Sequence, residues 1–280
     1  MPFLERYDET LDINSTDNYK LTVPLGPDDL SLSILDTLRN KFILIRSYEP
    51  EQGASFDEGQ MGEIISRDDF LVRRFKKVHI VIPAQKSTLV PAPLYEDSRK
   101  EEYFRFNFSP EKGHIILMNR INEPDANLLF AVPESRTGLV QTYWPGTRPV
   151  HHLKPLLEAI AGSRRSQYGN YIHVHLENDF FNMIIYDQNS LKFCNAFNYR
   201  SLSDIQYYVF SVIKRLNISQ DDIIHFSGIT EKYERMVHDF SKYARNIRFA
   251  APAGNFPFSY VFSEMIQHRY FNLFTVINCE

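Results

Sequence analysis

Cysteine is almost missing from this chain: Cys194 and Cys279 are the only two in 280 residues. Two thiols so far apart build no disulfide framework, and neither stands in a spacing suited to zinc, so a reducing compartment is expected. No excess of one charge stands out either. The 31 basic and 35 acidic residues give a net charge of -4, divided as -5 over residues 1–150 and +1 over the rest. Neither half offers the basic surface that a polyanion demands, and nucleic acid is not an expected partner. The pair Arg164-Arg165 is too small to reverse this and reads as a solvated helix end. No apolar run approaches the roughly 20 residues that cross a bilayer. The first ten residues show no basic stretch leading into an apolar one, so no secretory signal is read and a cytoplasmic protein is expected. Also absent are the Gly-x-Ser-x-Gly nucleophile elbow and a Walker-type glycine loop.

What is present is ring-rich and patterned. Aromatic residues make up 14% of the chain, with 22 Phe and 16 Tyr, and most rings of this kind fill cores. A chain of this length buries about three-quarters of its unfolded surface, enough for one large or two medium domains. One structural unit is written twice. Residues 20–25, 30–35 and 42–45 read as strands, the middle one alternating strictly so that Leu30, Leu32 and Ile34 share a half-buried face. A helix over 61–75 and a fourth strand over 78–82 follow. In the second copy, strands over 171–176 and 180–186 flank the hairpin turn Glu177-Asn178-Asp179, and a third covers 191–199. The next helix opens on a capping box, Ser203 with Gln206. Its apolar stripe runs through Ile205, Tyr208, Val209, Val212, Ile213 and Leu216. A fourth strand over 222–226, a helix over 231–243 capped by Thr230, a short strand over 247–250 and a helix near 260–269 complete the unit. Between the copies lie strands over 115–118 and 128–132 and a helix over 153–161, with Pro145, Gly146 and Pro149 marking a boundary. The expected organisation is a polar leader over 1–18, one lobe over 19–150 and a second over 151–280.

Three antiparallel strands followed by helix–strand–helix resembles the ribonuclease-H-like domain, and two such domains in one chain resemble the actin-like ATPase superfamily. More narrowly, the chain resembles an uncharacterised family of Bacteroidetes proteins with an actin-like ATPase fold, an impression carried by residues 250–264, Ala-Ala-Pro-Ala-Gly-Asn-Phe-Pro-Phe-Ser-Tyr-Val-Phe-Ser-Glu. A more distant analogy is the actin-like pilus-assembly component PilM, a cytoplasmic scaffold. The implied fold class is α/β, with duplicated ribonuclease-H-like domains, each a mixed five-stranded sheet flanked by helices. The resemblance also implies a nucleotide between the lobes, held through Mg by the first hairpin turn of each copy. There Asp organises the metal and Gly lets backbone N–H groups reach phosphate.

The residues depart from that pattern. The first turn, Pro24-Leu25-Gly26-Pro27, keeps the glycine but has proline for both the Asp and the hydroxyl residue, and the second proline removes a donor. Asp28 and Asp29 follow, as turn initiators or as metal ligands. The second turn has no glycine and carries two carboxylates, which repel phosphate. Ser227-Gly228-Ile229-Thr230 echoes the nucleotide-side Gly-Gly-x-Ser/Thr, and also reads as a loop and helix cap. No cofactor is expected; ATP with Mg on Gly26, Asp28, Ser227, Gly228 and Thr230 is the alternative. Nuclease chemistry needs carboxylates on the central strands, and the first strand has none. His173 and His175 share a strand face and His151-His152 could add imidazoles, but without cysteine or carboxylate at strand spacing they read as sheet histidines, and no metal is expected. The expected role is a non-catalytic recognition scaffold that takes a protein partner or a second copy. Phe256, Phe258, Tyr260 and Phe262, on and after a proline-containing loop, are the candidate docking surface.

Overall fold

A computed structural model describes residues 2–51, 54–164, 169–188, 190–229, 240–241, 243–252 and 256–279. Contacts divide the chain into two compact units. The first takes Met1–Leu156, Gly254–Met265 and Asn272–Glu280; the second takes Leu157–Ala253 and Ile266–Phe271.

In the first unit, strands β1 (Leu4–Tyr7), β2 (Tyr19–Pro24), β3 (Leu30–Asp36) and β4 (Lys41–Tyr48) precede helix α1 (Glu58–Arg67) and strand β5 (Lys77–Ile82). Then come β6 (Ser87–Pro91), α2 (Lys100–Arg105), β7 (His114–Ile121), β8 (Ala126–Pro133), α3 (Glu134–Tyr143) and β9 (Val150–His151), followed by α4 (Leu153–Ser163), which begins in the first unit and ends in the second. The main sheet has the order β1-β4-β3-β2-β5-β9, and a second, three-stranded sheet has the order β6-β8-β7. The stretch read as a polar leader supplies an edge strand: β1 runs antiparallel to β4 from Leu4 opposite Ser47 to Tyr7 opposite Leu44. It therefore adds a sixth strand to the five expected.

Helix α1 starts at a capping box, with Asp57 accepting from the Gln60 N–H at 2.7 Å and Gln60 returning a bond to the Asp57 N–H. It ends at Arg67, well short of residue 75. The reason is Asp68, whose carboxylate accepts from the Phe70 and Leu71 N–H groups at 2.8 and 2.9 Å and draws the chain out of the helix. The same buried carboxylate takes Arg46 and the Tyr48 hydroxyl, each at 2.7 Å. Arg46 in turn reaches Glu5 and Asp69, so a guanidinium inside an apolar strand meets three carboxylates. Burial alone would raise the Asp68 pKa, but its bonds from Tyr48 and Arg46 outweigh burial and hold it below the usual carboxylate range.

Strand β3 differs from its half-buried reading: all seven residues are buried. Ser31 bonds the Ser47 hydroxyl at 2.9 Å, and Ser33 donates to the Leu273 carbonyl at 3.4 Å. Small hydroxyl side chains let the end of the chain lie over a face that local alternation assigns to water.

In the second unit, β10 (Tyr171–Leu176), β11 (Phe180–Tyr186), β12 (Leu191–Asn198), helix α5 (Leu202–Arg215), β13 (Ile223–Gly228) and β14 (Asn246–Phe249) form a sheet of order β12-β11-β10-β13-β14. The first two pairings are antiparallel and the last two parallel, which repeats β4-β3-β2-β5-β9 strand for strand. This is the duplicated ribonuclease-H-like architecture. The core face carries Ile172, Val174, Leu176, Met183, Ile224 and Phe226, with Ile205 and Val209 of α5. The box that starts α5 is Ser201 with Asp204, two residues earlier than expected, so that Leu202 also enters the helix. Leu216, the last position of the expected stripe, is largely exposed. Most of the expected helix over 231–243 lies outside the described residues. The expected helix over 260–269 is replaced by short turns, Tyr260–Phe262 capped by Ser259 and Gln267–Tyr270, before α6 (Phe271–Thr275). The break falls at Ile266, whose ψ of 82° is not helical. Among the described residues no helix is long and apolar enough to cross a membrane.

Candidate functional site

The first hairpin turns of the two units are built alike. In the first, the Gly26 N–H donates to the Asp29 carbonyl at 3.0 Å; in the second, the Glu177 N–H donates to the Phe180 carbonyl at 2.9 Å. Gly26 thus occupies the place of Glu177, and by strand register Thr22 matches His173 and His79 matches His225. The groups of the first turn are bonded to protein partners. The Asp28 carboxylate accepts from the Ser55 hydroxyl at 2.8 Å, and the Pro27 carbonyl accepts from the Phe56 N–H at 2.6 Å. Beside the turn the buried cation Arg136 donates to the Leu25 carbonyl at 2.7 Å and to Glu58 at 3.1 Å. Gly26 itself sits against Pro83, whose ring would lie 2.9 Å from an added Cβ.

At the end of β13 the same pattern recurs. Gly228 has φ +84°, and a Cβ there would lie 2.1 Å from the Leu176 carbonyl oxygen. That carbonyl accepts from the Ile229 N–H at 2.9 Å. The glycine is needed for the close approach of two parallel strands. Ser227 lies between two imidazoles: His173 Nε2 and His175 Nδ1 are each 2.7 Å from its hydroxyl. His175 Nε2 is 3.2 Å from the Glu177 carboxylate. The sequence brings these groups together because β10 and β13 are parallel with His173 beside His225 and His175 beside Ser227. Alternation then sets all four on the face away from α5. Thr230 lies outside the described residues.

Donor counting fixes the direction of this chain. Glu177 accepts only, so His175 donates from Nε2, and in that neutral tautomer accepts at Nδ1. Ser227 then donates to His175 and accepts from His173 Nε2–H. The remaining His173 nitrogen, Nδ1, has no hydrogen-bond partner among the described residues. Burial, reinforced by His175 and His225, pushes the His173 pKa far below its ordinary value. His225, stacked flat on Tyr171 at 4.2 Å, is lowered to about 4, first by burial and then by Arg248. The arrangement resembles a nucleophile–base–acid relay in its connectivity, yet Ser227 and His173 are fully buried and His175 nearly so. A hydroxyl without access to a substrate is a structural bridge. The local sequence does not mark Ser227 and His225 as partners of the histidines, because the parallel register is not written locally. Their own two-residue spacing, His225-x-Ser227, was the available signal.

Among the described residues no three His, Cys, Asp or Glu side chains converge so as to hold a metal. His151 and His152 are buried in the first unit, where His151 Nε2 lies 2.8 Å from the Ala84 carbonyl. The four candidate surface rings are divided by the structure. Phe262 is fully buried; Phe258 stacks on Phe42 at 5.3 Å and meets Phe274 edge-on at 4.8 Å; Phe256 meets Phe42 edge-on at 6.3 Å. Only Tyr260, 68% exposed, is open, and its hydroxyl donates to Glu9 at 2.6 Å. Phe262 therefore fills the first unit, while Phe256 and Phe258 are half-buried against Phe42.

The chain belongs to DUF3822, a family of proteins of unknown function, whose description matches residues 8–247. No curated protein matches it. Among solved structures it is similar to a protein from Bacteroides thetaiotaomicron with an actin-like ATPase fold and unknown function, at 21% identity, covering 88% of this chain and 96% of that one with a TM-score of 0.80. It is also similar to the PilM–PilN type IV pilus biogenesis complex, at 11% identity, covering 92% and 98% with a TM-score of 0.62. At such identities the likeness is one of fold.

Proposed function

We propose that this member of a family of unknown function is a non-catalytic interaction scaffold, working in the cytoplasm on an actin-like fold that no longer grips a nucleotide. One observation carries the reading: the groups at the places where such a fold would hold phosphate are committed to protein partners. The Gly26 N–H closes its own turn, Ser227 bridges two histidines, and Gly228 accommodates the Leu176 carbonyl. A ligand would have to break those bonds before making its own, at about 1 kcal/mol or more for each buried group left unpaired. The likeness to PilM, which the solved structure shows in complex with PilN, supports a role in holding protein partners.

The test is thermal unfolding with and without millimolar ATP and Mg²⁺, alongside isothermal titration. No shift and no heat of binding are expected. A stabilisation of several degrees that requires Mg²⁺ overturns the reading and favours a divergent ATP-binding protein. Asp28→Asn then decides whether the first turn holds the metal.

A further inference from the structure

We infer that β12 is a self-pairing edge through which two copies of this chain form a two-fold dimer. The inference goes beyond the proposed scaffold role and does not depend on it.

Strand β12 is the end member of its sheet: β11 pairs one side, and among the described residues no strand pairs the other. It is eight residues long, and none of them is fully buried. Long edges of this kind are normally blunted by charge, proline or a short span. This one carries a single charge, Lys192, and no proline. The direction of its backbone groups can be read from two bonds. Tyr199 donates its N–H inward to the Asp179 carbonyl at 3.0 Å. The Ala196 N–H instead bonds the Asn195 side chain at 3.0 Å. Odd-numbered residues from 193 to 199 therefore face β11 through their backbone, and Cys194, Ala196 and Asn198 face the open side.

The side chains are symmetric about Asn195. With a two-fold axis there, Cys194 of one copy stands opposite Ala196 of the other, and both belong to the outward set, so each pair can exchange two backbone hydrogen bonds. Asn195 meets its own counterpart. Phe193 meets Phe197 of the second copy, and Lys192 meets Asn198, so no like charges are opposed. Phe193 and Phe197 already stack within one strand at 6.1 Å, and Phe197 stacks on Tyr208 of α5 at 4.9 Å. Pairing would extend this row across the axis. Beside it Tyr207, 69% exposed and edge-on to Tyr208 at 5.4 Å, offers further ring surface to cover. An isologous contact of this kind closes on itself and does not propagate into fibres.

Sedimentation velocity over about 1–100 µM, the range suited to an interface of modest area, is expected to show a concentration-dependent dimer. Ala196→Pro removes an N–H that β11 does not use, as edge strands tolerate. It should leave the melting temperature nearly unchanged while weakening dimerisation at least tenfold. Independently, in a Cys279→Ser background, Ala196→Cys places its thiol opposite Cys194 of the second copy, at a Cα separation of about 5.5 Å that a disulfide can span. Mild oxidation should give a covalent dimer on a non-reducing gel, lost when Cys194→Ser is added. A monomer at every concentration, a dimer untouched by Ala196→Pro, or failure of the 194–196 cross-link in a dimeric sample overturns the inference.

Discussion

Replacing Gly228 by alanine separates two explanations of a glycine at the end of β13. If it serves a ligand, alanine costs binding and little else. If it serves the approach of β10, alanine costs folding, and the size of that cost can be worked out. A non-glycine residue at φ +84° pays about 1–2 kcal/mol. The new Cβ would stand 2.1 Å from the Leu176 oxygen, roughly an ångström inside ordinary contact, and backbone cannot yield as a flexible side chain does. Separating the strands there weakens the Ile229–Leu176 bond, worth about 1 kcal/mol. The sum is about 3 kcal/mol or more, which in a unit of this size lowers the melting temperature by more than about 10 °C. Gly26→Ala is the internal control. Its φ is ordinary and the obstacle is the Pro83 ring at 2.9 Å, so about 1 kcal/mol is expected. Because the chain has two units, the measurement should resolve them: hydrogen exchange of β10 and β13 amides, read with thermal unfolding. A Gly228→Ala protein as stable as the parent would refute the packing explanation.

Two other perturbations follow from the buried polar groups. Arg46→Ala leaves Asp68 buried without its cation and should cost about 3–5 kcal/mol by urea unfolding, with Arg46→Lys recovering only part because one ammonium cannot span Glu5, Asp68 and Asp69; a loss under about 1 kcal/mol contradicts the network. His225 and His173 are neutral when folded and protonate more readily when unfolded, near pH 6.5. Their contribution is therefore complete above that pH and is lost as pH falls, for His225 down to its folded value of about 4. Denaturation monitored from pH 7 to 4 should show the second unit losing up to about 3 kcal/mol per such histidine, and His225→Phe, which keeps the ring on Tyr171, should flatten that slope.

Much of the architecture was legible because periodicity and punctuation are local. Strands β10 and β11 fall where the hairpin turn and flanking apolar runs put them, and the stripe of α5 predicts its buried face at Ile205 and Val209. The departures share a cause. Asp68 ends α1 because Arg46 and Tyr48, some 20 residues earlier, need its carboxylate. The alternation of β3 marks Ser31 and Ser33 as solvent-facing, yet both are buried, and Ser33 meets a segment from the far end of the chain. Of the rings at 256–262 that read as a docking edge, Phe262 is buried and Phe256 and Phe258 pack half-buried on Phe42, while Tyr260 stays exposed. Each concerns what a residue meets across a long sequence separation, which a single sequence does not encode.

What the sequence shows of the candidate site is its departure from the expected phosphate-holding pattern, and the register pairs the equivalent positions. Turn for turn, Pro27 and Asn178 hold equivalent places, as do Thr22 and His173, and His79 and His225. Both sheets carry polar side chains on the face away from their helical core, and both have that face covered from the end of the chain, Leu273 over Ser33 in the first unit and Phe271 beside His173 in the second. A surface kept polar and then buried must satisfy its groups internally. The second unit does so, His173 Nδ1 excepted, with the His173–Ser227–His175–Glu177 chain. Those are the residues a nucleotide or metal reading would recruit, so a ligand there would compete with the hydrogen bonds that stabilise the sheet.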